Sequence, residues 1–183
     1  MPESQTESFD RLVAPHLETL FRVAYRLVRN TADAEDLVQD TCVTACSSLT
    51  ALAAADSSLH WLLRVQQNRF IDGERRRNRS PVIGGDSLDT ELVAADYPDP
   101  EHLLQQVQNE QLLEQGFLQL DEFQRTLLSL RAEGYDLPEI ESITGVSRKV
   151  LSVRLHRARL CLSRKLAEHT NILPMSRKAG SRP

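Results

Sequence analysis

The chain has 183 residues, three of them cysteine, with 40% apolar and 5% aromatic side chains and a formal net charge of −4. That length holds one ordinary domain or two small ones, and the scarcity of glycine and aromatics favours helices packed by Leu, Val and Ala over sheets. The odd cysteine count excludes a complete disulfide framework and fits a reducing cytosol; no apolar run reaches the roughly 18 residues of a membrane span, and the polar, acidic start is unlike an export signal.

Val13, Leu17, Leu20, Ala24 and Val28 recur at spacings of three and four, which predicts a first helix with one apolar face. Thr31 is the candidate N-cap of a second helix, with Asp33 and Glu35 in the first turn, where the helix dipole favours acids. That helix is expected to reach about Leu49 and to bury Leu37, Val38, Ala45 and Cys46. The small, polar stretch TALAAADSS reads as a connection. A third helix should start near Leu59 and run into a cluster of arginines, with Trp61, Val65, Asn68 and Asp72 on one of its faces. Periodicity then fails over SPVIGGDSLDTELVAADYPDP, which reads as a flexible acidic linker.

Beyond it, a helix is expected from about Glu101 to Leu120. Asp121 with Gln124, and Asp136 with Glu139, each have the spacing of a capping box, and Pro138 is tolerated in a first turn. Gly134 is a fitting helix stop, and Gly145 allows the positive φ of a sharp turn. A last helix, capped by Ser147, should reach about Glu168, followed by a disordered tail. The fold class predicted is all-α: two small helical domains, 8–80 and 104–169, joined by the linker 81–103 and followed by the tail 170–183.

Charge is unevenly placed. Arg64–Arg79 holds six arginines against two acids, and Arg148–Lys165 holds seven basic residues and no acid. Between them, residues 80–124 hold ten acids and no Lys or Arg. Two cationic blocks around an anionic middle point to polyanion binding at both ends despite the negative sum.

The segment from Asp136 to Arg159 has the layout of a helix-turn-helix: a short capped helix, a turn at Gly145, and a two-sided second helix. Leu151, Leu155, Ala158 and Leu162 form its buried stripe. Arg148, Lys149, Ser152, Val153 and His156 lie on other faces toward the N-terminal half, the part that enters the major groove in such motifs. Arg154, Arg157 and Arg159 suit phosphate contacts. In the first half, Arg64, Asn68, Arg69, Arg75, Arg76 and Arg77 sit on or just after one helix. They can attract phosphates, or stabilise a helix C-terminus; Trp61 can stack on a base or anchor the core. The carboxylates Asp33, Glu35, Asp36 and Asp40, with Gln39, crowd the second helix. No nucleophile, ligand set or pocket accompanies them, so no catalytic site, metal site or cofactor is expected.

DAEDLVQDT, then WLLRVQQNRFID with RRRNR, then an acidic linker, then a helix-turn-helix ending RLHRAR, resembles in order and spacing the extracytoplasmic-function sigma factors of the sigma-70 family, over roughly Phe9 to Leu166. The resemblance implies a non-enzymatic, cytoplasmic subunit that brings RNA polymerase core to promoters. Asp36, Gln39 and Asp40, with Asp33 and Glu35 nearby, match the segment that docks on the clamp helices of the largest subunit. Leu120, Phe123 and Leu127 look like the surface that meets the flap of the second-largest subunit. Trp61, Arg64, Asn68, Arg69, Asp72, Arg75, Arg76 and Arg77 match the part that opens the minus-ten element of promoter DNA. Arg148, Lys149, Ser152, Val153, Arg154, His156 and Arg157 match the reader of the minus-thirty-five element. An anti-sigma factor is the usual second partner.

The sequence departs from the family pattern at Glu141, where a small residue is common and a carboxylate is costly unless it reaches solvent. It departs again at Lys149, Val150 and Leu151, so promoter preference does not carry over. Cys42 and Cys46 sit one turn apart, a spacing open to metal binding or redox sensing, and read foremost as buried small side chains. Two alternatives share the helical reading: a sigma-like decoy for an anti-sigma protein, which should lack basic surfaces, and a stand-alone helix-turn-helix regulator, which leaves the acidic helix unexplained.

Overall fold

The computed structural model describes residues 5–79, 113 and 115–170 and contains helices and turns but no strand among them. The linker 81–103, most of the helix expected from Glu101 to Leu120, and the tail from 171 onward lie outside the described residues.

The first predicted helix is broken in two. Helix α1 spans Gln5–Leu12, a 3-10 turn covers Ala14–His16, and α2 spans Leu17–Val28. The break falls at Pro15, whose ring cannot continue the α-helical hydrogen-bond ladder. Helix α2 buries Leu20, Val23, Ala24 and Leu27, and stops at Arg29, a non-glycine residue in the left-handed region at φ 57°.

Helix α3 spans Thr31–Ser47. Its N-cap is Asn30 rather than Thr31: the Asn30 side chain accepts from the Asp33 N–H at 3.0 Å. The predicted connection after it holds a short helix, α4 (Leu49–Ala53), which buries Leu52. Of the side chains expected inside α3, Leu37 and Ala45 are buried, Val38 is half-buried and Cys46 is exposed. Thr41 takes the core position instead, its hydroxyl donating to the Leu37 carbonyl at 2.8 Å. Helix α5 (Ser58–Arg79) buries Leu62, Leu63, Gln66, Gln67 and Phe70. Gln66 is fully buried, and its amide donates to the Leu20 carbonyl of α2 at 2.9 Å, a directional tie between two otherwise apolar faces.

The second half is built from α6 (Glu122–Ala132), α7 (Leu137–Thr144) and α8 (Arg148–Thr170). Both predicted capping boxes form, Asp121 with Gln124 on α6 and Asp136 with Glu139 on α7. Gly134 and Gly145 take φ of 98° and 71°, the values that let the chain reverse after α6 and α7. Leu127, Leu130, Ile140, Ile143, Leu151, Leu155 and Ala158 close the core, and each fully buried Leu or Ile contributes about 1.5–3 kcal/mol of transfer free energy.

The two halves pack on each other. One apolar cluster runs without a break from Val13 through Phe70 to Leu155. Helix α5 lies against α6 and α7, and α2 against α6. Ion pairs edge this seam: Arg22 and Arg26 of α2 hold the carboxylate of Glu133 at 3.1 and 2.8 Å, and Glu74 of α5 pairs with Arg125 of α6. The Arg125 guanidinium also sits 4.9 Å over the Phe70 ring.

Candidate nucleic-acid and polymerase interfaces

Three outward faces carry the charge that the sequence concentrates. The first is the ridge of α3. Ala34, Leu37 and Thr41 anchor its inner side, which leaves Asp33, Glu35, Asp36, Gln39 and Asp40 all exposed. Val43 extends the same ridge and is 68% exposed, the most exposed of the large apolar side chains among the described residues. Sequence reasoning missed it, although its spacing of seven from Asp36, with Gln39 and Asp40 between, places it on that face. Carboxylates beside a bare apolar side chain make a surface suited to a basic protein partner. Cys42, one residue back, is half-buried, and burial pushes its thiol pKa up, so it favours the protonated form. No group of three or more His, Cys, Asp or Glu able to hold a metal occurs among the described residues.

The second face belongs to α5. Asn68, Arg69, Asp72, Arg75, Arg76 and Arg77 are exposed. Arg69 donates to the Thr44 hydroxyl at 2.9 and 3.2 Å, and Arg77 pairs with Glu74 at 2.9 Å. Trp61 is half-buried against the core. Arg64 turns away from this group. Its Nε donates to the Ile143 carbonyl at 2.9 Å and its Nη2 to the Ser142 carbonyl at 2.6 Å, satisfying the last turn of α7 from the other half of the chain. His60, one turn back, meets the Ser142 hydroxyl at 3.2 Å and the edge of the Tyr135 ring.

The third face is the outer side of α8. Leu151, Leu155 and Ala158 are buried, while Arg148, Lys149, Val150, Ser152, Val153, Arg154, His156 and Arg157 are all exposed. Glu141, the costly departure, is not enclosed. Its carboxylate pairs with Arg148 Nε at 2.8 Å and accepts from the Arg148 N–H at 3.1 Å, so it ties the turn to the start of α8. Arg154 lies 4.7 Å over the Phe123 ring. Ser152 and His156 border a recess with Arg131, Leu137 and Arg159. Leu120 and Leu127, expected on a surface, are 4% and 1% exposed and belong to the core, because the periodicity that marks an apolar docking face also marks a buried one. Of that trio, Phe123 alone reaches partly outward.

Residues 12–80, which include α2 to α5, match the Sigma-70 region 2 family. The RNA polymerase sigma factor CnrH of Cupriavidus metallidurans is 33% identical over 162 residues, covering 85% of each protein. The chain belongs to the extracytoplasmic-function sigma factors. The ECF RNA polymerase sigma factor SigE of Mycolicibacterium smegmatis is also 33% identical, over 90% of this sigma factor but only 63% of that protein, so the chain spans somewhat under two thirds of that relative. The solved structure of CnrH in complex with the cytosolic domain of CnrY superposes with a TM-score of 0.57 and 26% identity over 87% of this chain and 88% of that one. The acidic ridge of α3 and the arginine face of α5 both fall within the region 2 match. No helix among the described residues is long and apolar enough to cross a membrane.

Proposed function

We propose that this sigma factor docks on RNA polymerase core through the α3 ridge, opens the minus-ten element with α5, and reads the minus-thirty-five element with α8. In this reading residues 8–80 and 104–169 are the two working domains and 81–103 the acidic tether between them. The chain performs no catalysis of its own and works in the cytoplasm, where the polymerase is. The observation that supports the assignment best is the separation of the three faces. Asp36, Gln39, Asp40 and Val43 point outward on one helix, the α5 arginines on a second, and the cationic side of α8 on a third, with no shared residues. One enzyme surface and two segments of a duplex can then be held at once.

Within these faces, the carboxylates of Asp36 and Asp40 meet basic residues of the clamp helices, and Phe123 contributes to the flap contact. Arg75, Arg76 and Arg77 hold phosphates while Asn68 and Trp61 hold an unpaired base; a basic surface with stacking groups offsets the few kcal/mol that unpairing costs. An anti-sigma factor is the second partner in this reading; CnrH, a related sigma factor, is likewise solved with a second protein, the cytosolic domain of CnrY. The exposed arginines of α5 and α8 speak against a decoy that never touches DNA.

The test is the double substitution Asp36→Lys with Asp40→Lys. Both side chains are exposed and neither contributes to the core, so the melting curve should stay that of the parent. Co-purification with core polymerase should be lost. Retention of the polymerase by the variant would reject the docking assignment.

A further inference from the structure

Val153 has no role in the fold. At about 100° per residue, it falls nearly opposite the buried stripe of Leu151, Leu155 and Ala158, at the crest of the solvent side of α8, and it is 49% exposed. A β-branched residue in an exposed helix position lowers helix propensity relative to Ala or Lys, so nothing local favours it there.

Its surroundings identify what it meets. Lys149 lies one turn before it, and His156 and Arg157 one turn after it, all exposed. From Arg148 to Lys165 the helix carries no acid at all. A crest with an apolar side chain at its centre and the cations Lys149 and Arg157 one turn to either side is poorly matched to an apolar protein groove, because docking there would strip water from those charges. It is well matched to a DNA major groove. There the phosphates on both walls take the cations, and the floor offers one apolar group, the C5 methyl of thymine. The other bare apolar side chains of α8 are placed less well. Val150 is turned toward the flank of the crest, and Leu160 lies about 10 Å further along the axis, past the N-terminal half that enters a groove.

We infer that Val153 is a specificity-determining residue that reads a thymine methyl in the upstream promoter element. The inference rests on the assignment of α8 as the reader of that element. Lys149 and Arg157, one turn to either side, fix the register through phosphates or purine edges, and Val153 selects thymine at the base pair between them.

The test works on random DNA, with no promoter sequence specified. Holoenzyme formed with this chain selects duplexes from two randomised libraries, one synthesised with thymidine and one with deoxyuridine, which differ by the C5 methyl. The parent should prefer thymidine to deoxyuridine by about threefold to tenfold at one or two positions, and only there. Val153→Ala, which keeps the helix, should lose that preference while still enriching the rest of the element. Equal enrichment of both bases by the parent, with a defined element still selected, would overturn the inference and leave the promoter reading standing. A preference that survives in Val153→Ala would also overturn it. Failure to enrich any element would instead sink the assignment of α8 itself.

Discussion

Glu133→Gln tests the seam between the two halves with almost no change of shape. The Glu133 side chain is 7% exposed and is held by Arg22 and Arg26, which are 46% and 42% exposed. Burial alone would raise its pKa; the hydrogen bonds and charges of Arg26 and Arg22 together outweigh that and hold it below the ordinary carboxylate range. An exposed pair contributes about 0.2–1 kcal/mol, and breaking a buried one costs about 3–5 kcal/mol. With the carboxylate enclosed and both guanidinium groups half in water, the amide should cost about 1–2 kcal/mol at neutral pH, read from the urea midpoint at constant slope. The sign with pH follows from the depressed pKa. The ionised carboxylate stabilises the fold above its unfolded-state pKa, and that contribution is lost as pH falls through the lower folded-state value. The parent should therefore converge on the variant in acid, with the gap widest at neutral pH. A variant within about 0.3 kcal/mol of the parent at pH 7, or a gap that does not depend on pH, would refute the argument.

Two further substitutions probe the helix-turn-helix. Gly145→Ala places a Cβ on a residue at φ 71°, with the Arg64 guanidinium 3.7 Å away, and should cost about 1–2 kcal/mol in thermal melts from backbone strain rather than collision. Asp136→Ala removes the acceptor for the Glu139 N–H and so half of a capping box; a loss of about 1 kcal/mol is expected, and restoration by Asp136→Ser would assign that loss to the cap.

Local chemistry was legible in the chain. The two capping boxes, the glycine turns and three of the four stripe residues, Leu151, Leu155 and Ala158, each depend on residues within one or two turns of each other and are present, while Leu162, the fourth, is only half-buried. What escaped depends on distant partners or on one overlooked residue. Pro15 splits the first helix, and Asn30 takes the cap expected of Thr31 because its amide oxygen reaches the Asp33 N–H. Leu120 and Leu127 share the spacing of a docking surface, and only their burial, with α2, α5 and α8 packed against α6, shows them to be interior. Arg64 sits in a run of arginines that reads as one phosphate-binding group, yet its donors go to carbonyls 78 and 79 residues away. No periodicity within α5 can announce a partner on α7.

Gln66 sets a condition on how region 2 is put together. Layers of leucine tolerate small slides, since dispersion attraction given up on one side is regained on the other. A single amide aimed at one carbonyl does not, because its bond weakens steeply once distance or angle drifts. With Gln66 fastened to Leu20, α5 is indexed against α2 at one position along its axis. The arginines at its far end therefore keep a fixed spacing from α2, as marks do on a ruler.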